Sequence, residues 1–128
     1  MSYLNKFSSI FFVCSFLLAN SLSLSDNGDG TWNVGYNSDT AMGGFQFNVD
    51  GASIISASGG DANANGFLVS TSSTTAIGFS LSGATVSAGQ GVLTVLDLDG
   101  NPTGLSGIVV SNSSGGALEF EYEESSIT

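Results

Sequence analysis

Apolar and polar residues alternate along most of the chain with a period of two, which is typical of strands that bury one face. In 75–81, for example, Ile77, Phe79 and Leu81 share a face. Turn residues interrupt the alternation about every eight to twelve residues. The predicted strands are 21–25, 31–36, 44–49, 52–57, 66–70, 75–81, 91–98, 107–111 and 118–123. After the N-terminal segment no stretch shows a convincing helical period, so we predict an all-β fold of about nine strands, a jelly-roll or immunoglobulin-like β-sandwich.

The N-terminal segment has the pattern of a secretory signal peptide. Lys6 supplies a positive charge, an apolar run follows over 10–19, and small residues after it allow cleavage after Ser21 or Ser23. The run is shorter than the roughly 20 residues of a membrane span, so no membrane insertion is expected after cleavage. The alternative is a buried N-terminal helix or strand. We predict a signal peptide over 1–23 and a single domain over 24–128, secreted or held at the cell surface.

The charge is one-sided and excludes two classes of partner. The chain has 11 acidic residues, no histidine and one basic residue, Lys6, which lies in the predicted signal peptide. A domain without cations cannot neutralise phosphates, so nucleic acid and anionic lipid are not expected partners. The single cysteine, Cys14, also lies in the signal. Without His, Lys, Arg or Cys the domain lacks the usual nucleophiles, bases and oxyanion clamps, and we predict that it is not an enzyme.

Two acidic turns have the oxygen ligands that calcium prefers. Asp26 and Asp29 bracket an Asn-Gly turn, and Asp97, Asp99 and Asn101 have the spacing that begins an EF-hand loop. Proline and not glycine follows Asn101, and the twelfth-position glutamate of an EF-hand is missing. The alternative for both segments is plain turn chemistry, since Asp-Gly and Asn-Gly favour positive φ. No cofactor is required, and calcium is the one ion the sequence suggests.

The strand 44–49 presents a polar face that is a candidate for partner binding. Gln46, Asn48 and Asp50 alternate with apolar residues and share one side. Trp32 and Tyr36 supply rings on which a sugar could stack, which makes a polysaccharide an expected partner beside a protein. Both rings share a face with the valine between them, so packing in the core is the alternative reading, and the pattern favours it.

The predicted terminal strands suggest a rival function. Strands 21–25 and 118–123 would lie at sheet edges, where unpaired backbone groups can pair with another chain. The outward glutamates of 118–123 discourage contact between sheet faces but do not block pairing along an edge. A self-assembling surface or filament subunit, and hence a homo-oligomer, is therefore the alternative to a recognition module.

Several short motifs resemble the cohesin domain. The matching residues are Gly44, Phe45, Gln46, Phe47, Val49, Asp50, Gly78, Phe79, Ser80 and Gly91–Leu96. The resemblance implies a nine-stranded jelly roll related to carbohydrate-binding modules, of the kind found in secreted proteins of marine bacteria. It also implies a noncatalytic module that binds a dockerin-like protein or takes part in adhesion. Dockerin-contacting positions have no motif here and do not carry over to this sequence.

Overall fold

The structure is a computed structural model that describes residues 20–124. Residues 1–19, and with them Lys6, Cys14 and the apolar run of the predicted signal peptide, lie outside the described residues. In chain order the elements are β1 (Ser21–Asp26), β2 (Thr31–Ser38), β3 (Gly44–Asp50), β4 (Ser53–Ser58), α1 (Gly60–Ala64), β5 (Leu68–Thr71), β6 (Thr75–Phe79), β7 (Gly89–Asp99), β8 (Gly104–Ser111), β9 (Ala117–Leu118) and β10 (Glu121–Tyr122).

The strands form two five-stranded sheets that pack face to face. The first sheet has the order β10-β1-β2-β7-β4 and the second has the order β5-β6-β3-β8-β9. All pairings are antiparallel except that of β1 with β10, which is parallel. The predicted all-β sandwich is confirmed. No helix within residues 20–124 has the length and apolar content needed to span a bilayer.

The core lies between the two sheets and is filled from the predicted apolar faces. Phe45, Phe47 and Val49 of β3 are all buried. The Phe45 ring stacks on those of Phe47 and Phe67, with centroids 6.1 Å apart in both pairs. The largest completely buried side chains come from both sheets and their connections: Phe47, Leu22, Met42, Leu93, Leu96, Val34, Val86, Val110 and Thr94. The alternation in the sequence is therefore the pleat of a two-layer core.

The segment 118–123 is not one strand, as the sequence predicted, but two short strands in different sheets. Leu118 of β9 lies opposite Val110 in the second sheet, whereas Tyr122 of β10 lies beside Leu22 in the first. Between them the chain crosses from one sheet to the other. The crossing lets Phe120 and Tyr122 pack against the core, so the alternation is kept although the pairing changes partner.

The polar stretch after β4 contains a single helical turn that the sequence did not predict. In α1 the side chain of Ala62 is completely buried, and the backbone N–H of Asn65 donates to the Asp61 carbonyl at 3.0 Å. Gly59 and Gly60 both have positive φ and turn the chain into the helix. Five residues are too few to show a helical period, so the sequence pattern predicts a loop here.

Strand β1 lies inside the first sheet and is not an edge strand, contrary to the sequence prediction. It pairs with β2 along its whole length and with β10 at Ser21 and Leu22. Leu22 is completely buried. The folded sheet therefore includes three residues that precede the predicted domain boundary at residue 24. The strands at the sheet edges are β10, β4, β5 and β9.

Candidate functional site

Four large apolar side chains stand together on the outer face of the second sheet. They are exposed to between 39% and 57%, and we call them the apolar patch: Leu68, Ile77, Phe79 and Val109. Cross-strand partners point to the same side of a sheet, and the register places Gln46 between Ile77 and Val109. Phe79 and Leu68 are likewise partners. The patch is thus continuous over β5, β6, β3 and β8.

A shallow depression of about 260 Å³ lies within the patch. Its floor is low because Gly44 has no side chain; a Cβ there would lie 3.2 Å from Ser111 Oγ. Ile77, Phe79 and Val109 form the walls. The sheet therefore presents a concave apolar surface with one amide, that of Gln46, at its centre.

The other two polar residues of the predicted face hold the second sheet together. Asn48 Oδ1 accepts a hydrogen bond from Thr75 Oγ1 at 2.8 Å, and Asp50 Oδ1 accepts one from Ser106 Oγ at 2.8 Å. Both bonds join β3 to a neighbouring strand. Of the three predicted polar residues, Gln46 alone lies in the apolar patch.

Trp32 and Tyr36 lie on the opposite sheet and face the interior. Trp32 is partly buried against the core, and Tyr36 is only 8% exposed. Tyr36 Oη donates a hydrogen bond of 2.6 Å to Asp61 Oδ2. Burial, together with this bond and the Asp61 charge, raises the pKa of Tyr36 to about 12. The structure does not bring these two rings together with Gln46.

The first acidic turn uses its oxygens internally. Asp26 Oδ1 accepts the Gly28 N–H at 2.8 Å. Asp29 Oδ1 accepts both the hydroxyl of Thr31, at 2.7 Å, and its backbone N–H, at 3.1 Å. These bonds hold the pKa of the Asp29 carboxyl below its usual value. Asx-type bonds of this kind account for the turn without an ion.

The second acidic turn lies at the same end of the first sheet. The Leu98 N–H donates to the Gly30 carbonyl at 3.1 Å, so the two turns are neighbours. Asp97 and Asp99 lie two residues apart on β7, and Asn101 follows in the exposed turn. Within residues 20–124, no three acidic, histidine or cysteine residues are grouped so as to hold a metal ion. Proximity of the turns alone does not make a calcium site.

Sequence reasoning missed the apolar patch, although a signal for it is present. Ile77 and Phe79 share a face as predicted, but that face points outward. The residues of β6 that face the core are Ala76, which precedes Ile77, and Gly78, which lies between Ile77 and Phe79. The inward position of Gly78 is explained by Phe45, whose ring occupies the space that a Cβ on Gly78 would need. The signal for the outward direction of Ile77 and Phe79 was the small size of Ala76 and Gly78, which lie opposite the buried Phe47 and Phe45.

Comparison with known proteins supports the fold and not a closer relationship. No family model matches the sequence, and no curated protein matches it. Among solved structures, the chain is similar to a non-cellulosomal cohesin from the hyperthermophilic archaeon Archaeoglobus fulgidus, with a TM-score of 0.61 and 14% identity over 83% of this chain and 88% of that one. It is also similar to a chain of a CaDoc0917–CaCohA2 complex, with a TM-score of 0.57 and 15% identity over 82% of this chain and 95% of that one. The fold is therefore cohesin-like.

Proposed function

We propose that the chain is a secreted, noncatalytic recognition module that binds a dockerin-like protein partner through the apolar patch. The observation that carries the proposal is the exposure of Leu68, Ile77, Phe79 and Val109 side by side on one sheet. Monomeric proteins rarely leave such contiguous apolar surface open unless it serves an interaction. The similarity to a chain of the CaDoc0917–CaCohA2 complex supports a protein as the partner.

Charge narrows the kind of protein that fits. Residues 20–124 contain all 11 acidic residues and no Lys, Arg or His. A partner surface with an apolar centre and a basic rim complements this charge, whereas an acidic one is repelled. We therefore propose a basic partner, whose association rate falls as salt is added because the attraction is screened.

Export is part of the proposal, and the burial of Leu22 disfavours the later of the two predicted cleavage positions. Cleavage after Ser23 would remove Leu22, which is completely buried and pairs with both Tyr36 and Tyr122. Losing a fully buried leucine costs on the order of 2–5 kcal/mol. Cleavage after Ser21 keeps this residue. Mass spectrometry of the secreted protein should give a first residue no later than Leu22, and a mature chain that starts at Leu24 would contradict this.

The binding proposal is tested with recombinant dockerin modules and single substitutions in the patch. Val109→Asp and Ile77→Asp should each weaken binding by at least about 30-fold in isothermal titration calorimetry, as expected for a central contact worth ~2 kcal/mol. Ile55→Asp is the matched control. Ile55 lies on β4 of the other sheet and is 60% exposed, close to the 57% of Val109. Equal loss in all three variants, or none in the patch variants, would contradict the proposed surface.

A second copy of the chain is the rival occupant of the patch. Equal acidic charge on both copies opposes such a dimer, and two of the four edge strands, β9 and β10, are only two residues long. Sedimentation of the purified protein across a concentration and salt series distinguishes the two occupants. Reversible self-association that Val109→Asp abolishes and Ile55→Asp does not would replace the partner proposal with self-assembly.

A further inference from the structure

The outer face of the first sheet contains a groove of about 580 Å³ on the side of the sandwich opposite the apolar patch. We call it the polar groove. Five of its lining residues carry a hydroxyl, amide or carboxyl group: Ser21, Ser23, Asn37, Gln90 and Glu123. The others are Gly35, Gly91 and Tyr36, whose ring faces the interior. The two outer faces of the domain therefore differ sharply in chemistry.

The strand register explains how the groove forms. One row across the sheet runs from Ser21 through Asn37 to Gln90, and the next pairs Ser23 with Gly35. Cross-strand partners share a face, so the two rows lie side by side. Gly35 keeps the centre low, since a Cβ there would approach Ser23 Oγ to 2.7 Å. The groove is a trough because the amide side chains of Asn37 and Gln90 stand on one side of it and Gly35 lies at its centre.

The final described residues close one end of the trough. The Glu123 backbone N–H donates to the Leu22 carbonyl at 2.8 Å, and Glu123 Oε1 accepts a hydrogen bond from Ser21 Oγ at 3.0 Å. The carboxylate is therefore held against β1 with one oxygen partnered. Its remaining acceptor capacity points to a donor-bearing ligand.

We propose that the polar groove binds a neutral saccharide unit of a polysaccharide. Hydroxyls, amides and a carboxylate can donate to and accept from the hydroxyls of a sugar. An anionic ligand is disfavoured, because Glu123 lines the groove and residues 20–124 carry no basic side chain. A hard cation is disfavoured as well, because the groove has a single carboxylate and residues 20–124 contain no grouped set of acidic ligands. This site is independent of the apolar patch and of the protein partner proposed for it.

The test is an NMR titration of the full chain with cellotriose, laminaritriose, mannotriose and maltotriose, and with a sulfated trisaccharide for comparison. We expect saturable shifts of the Gly35, Asn37 and Gln90 amides with at least one neutral sugar at millimolar concentration. Gln90→Ala should weaken that binding about tenfold by removing a hydrogen-bonding amide. Gly35→Ala should weaken it by narrowing the trough. Gln46→Ala, an equivalent change on the other sheet, should leave it unchanged.

Several outcomes would overturn the proposal. These are the absence of groove shifts with every neutral sugar, shifts centred on the apolar patch, or tighter binding of the sulfated sugar. If Gly35→Ala fails to fold, Gln90→Ala, at an exposed position near the start of β7, carries the test alone. The two sites fail independently, since Val109→Asp is expected to weaken partner binding and to leave sugar binding intact.

Discussion

Tyr36 Oη, on the first sheet, donates a hydrogen bond of 2.6 Å to Asp61 Oδ2, in the helical turn between β4 and β5. The bond joins two elements that are 25 residues apart in the chain. The bond holds α1 against the sandwich, and the ring of the tyrosine that donates it is part of the core. Tyr36, a candidate sugar platform for which the sequence favoured core packing, thus acts as an anchor.

Removing the Tyr36 hydroxyl should destabilise the fold measurably. We expect Tyr36→Phe to lower the free energy of unfolding by about 1–3 kcal/mol, since a hydrogen bond to a charged acceptor is lost. Urea denaturation measures the change. Tyr122→Phe is the control, because Tyr122 is also partly buried but has no side-chain hydrogen bond within the described residues; its effect should stay within about 0.5 kcal/mol. Equal effects in the two variants would contradict the anchor.

The same tyrosine should make stability fall in alkali. Its pKa is about 12 in the folded protein against an ordinary 10.0, so between these values the folded state keeps a proton that the unfolded state releases. The contribution is therefore complete below pH 10 and lost as the pH rises towards 12. Burial and the nearby Glu124 also raise the pKa of Tyr122, in the same direction. Unfolding curves across this range should show a smaller decline for Tyr36→Phe than for the wild type.

The inward glycine of β6 should tolerate no side chain. Gly78→Ala places a Cβ within the Phe45 ring, and we expect a loss of about 1–3 kcal/mol in the free energy of unfolding from overpacking. Gly44→Ala is the matched control on the outer face, where the nearest atom is Ser111 Oγ at 3.2 Å. That variant should fold normally, with its methyl group projecting into the depression in the apolar patch. A Gly78→Ala protein as stable as the control would contradict the packing.

Salt should stabilise the domain, because its acidic side chains repel one another without compensating cations. We expect the thermal midpoint to rise by on the order of 5 °C between low and physiological ionic strength, or ~1 kcal/mol for a domain of this size. Calcium and magnesium at matched ionic strength should raise it equally, since residues 20–124 contain no grouped set of acidic ligands. Greater stabilisation by calcium, lost in Asp97→Asn, would instead establish an ion site at that turn.

The strands could be predicted from the sequence because alternation is a local property, whereas the direction of each face is set by the whole sandwich. For β3 the apolar face was the buried one, as expected. For β6 the larger residues Ile77 and Phe79 face outward, because the inner position beside Phe45 has room only for Gly78. The apolar patch depends on this reversal, so it could not be predicted from alternation alone.

The long-range pairing of strands could not be predicted from the sequence either. The segment 118–123 shows one continuous alternation, but the two sheets compete for it and each pairs with part of it. The parallel pairing of β10 with β1 joins residues about a hundred positions apart, and no local signal encodes it. That pairing brings Glu123 to Ser21 and thereby closes one end of the polar groove.

The pairing of β10 with β1 also affects when the domain can fold. Of the described strands, β1 is synthesised first and β10 last, so the first sheet stays incomplete until β10 has been made. Contacts of such long sequence separation slow folding, since a large loop must be closed before they form. Completion of the first sheet is therefore a late step, because it waits for the described strand that lies farthest along the chain from β1.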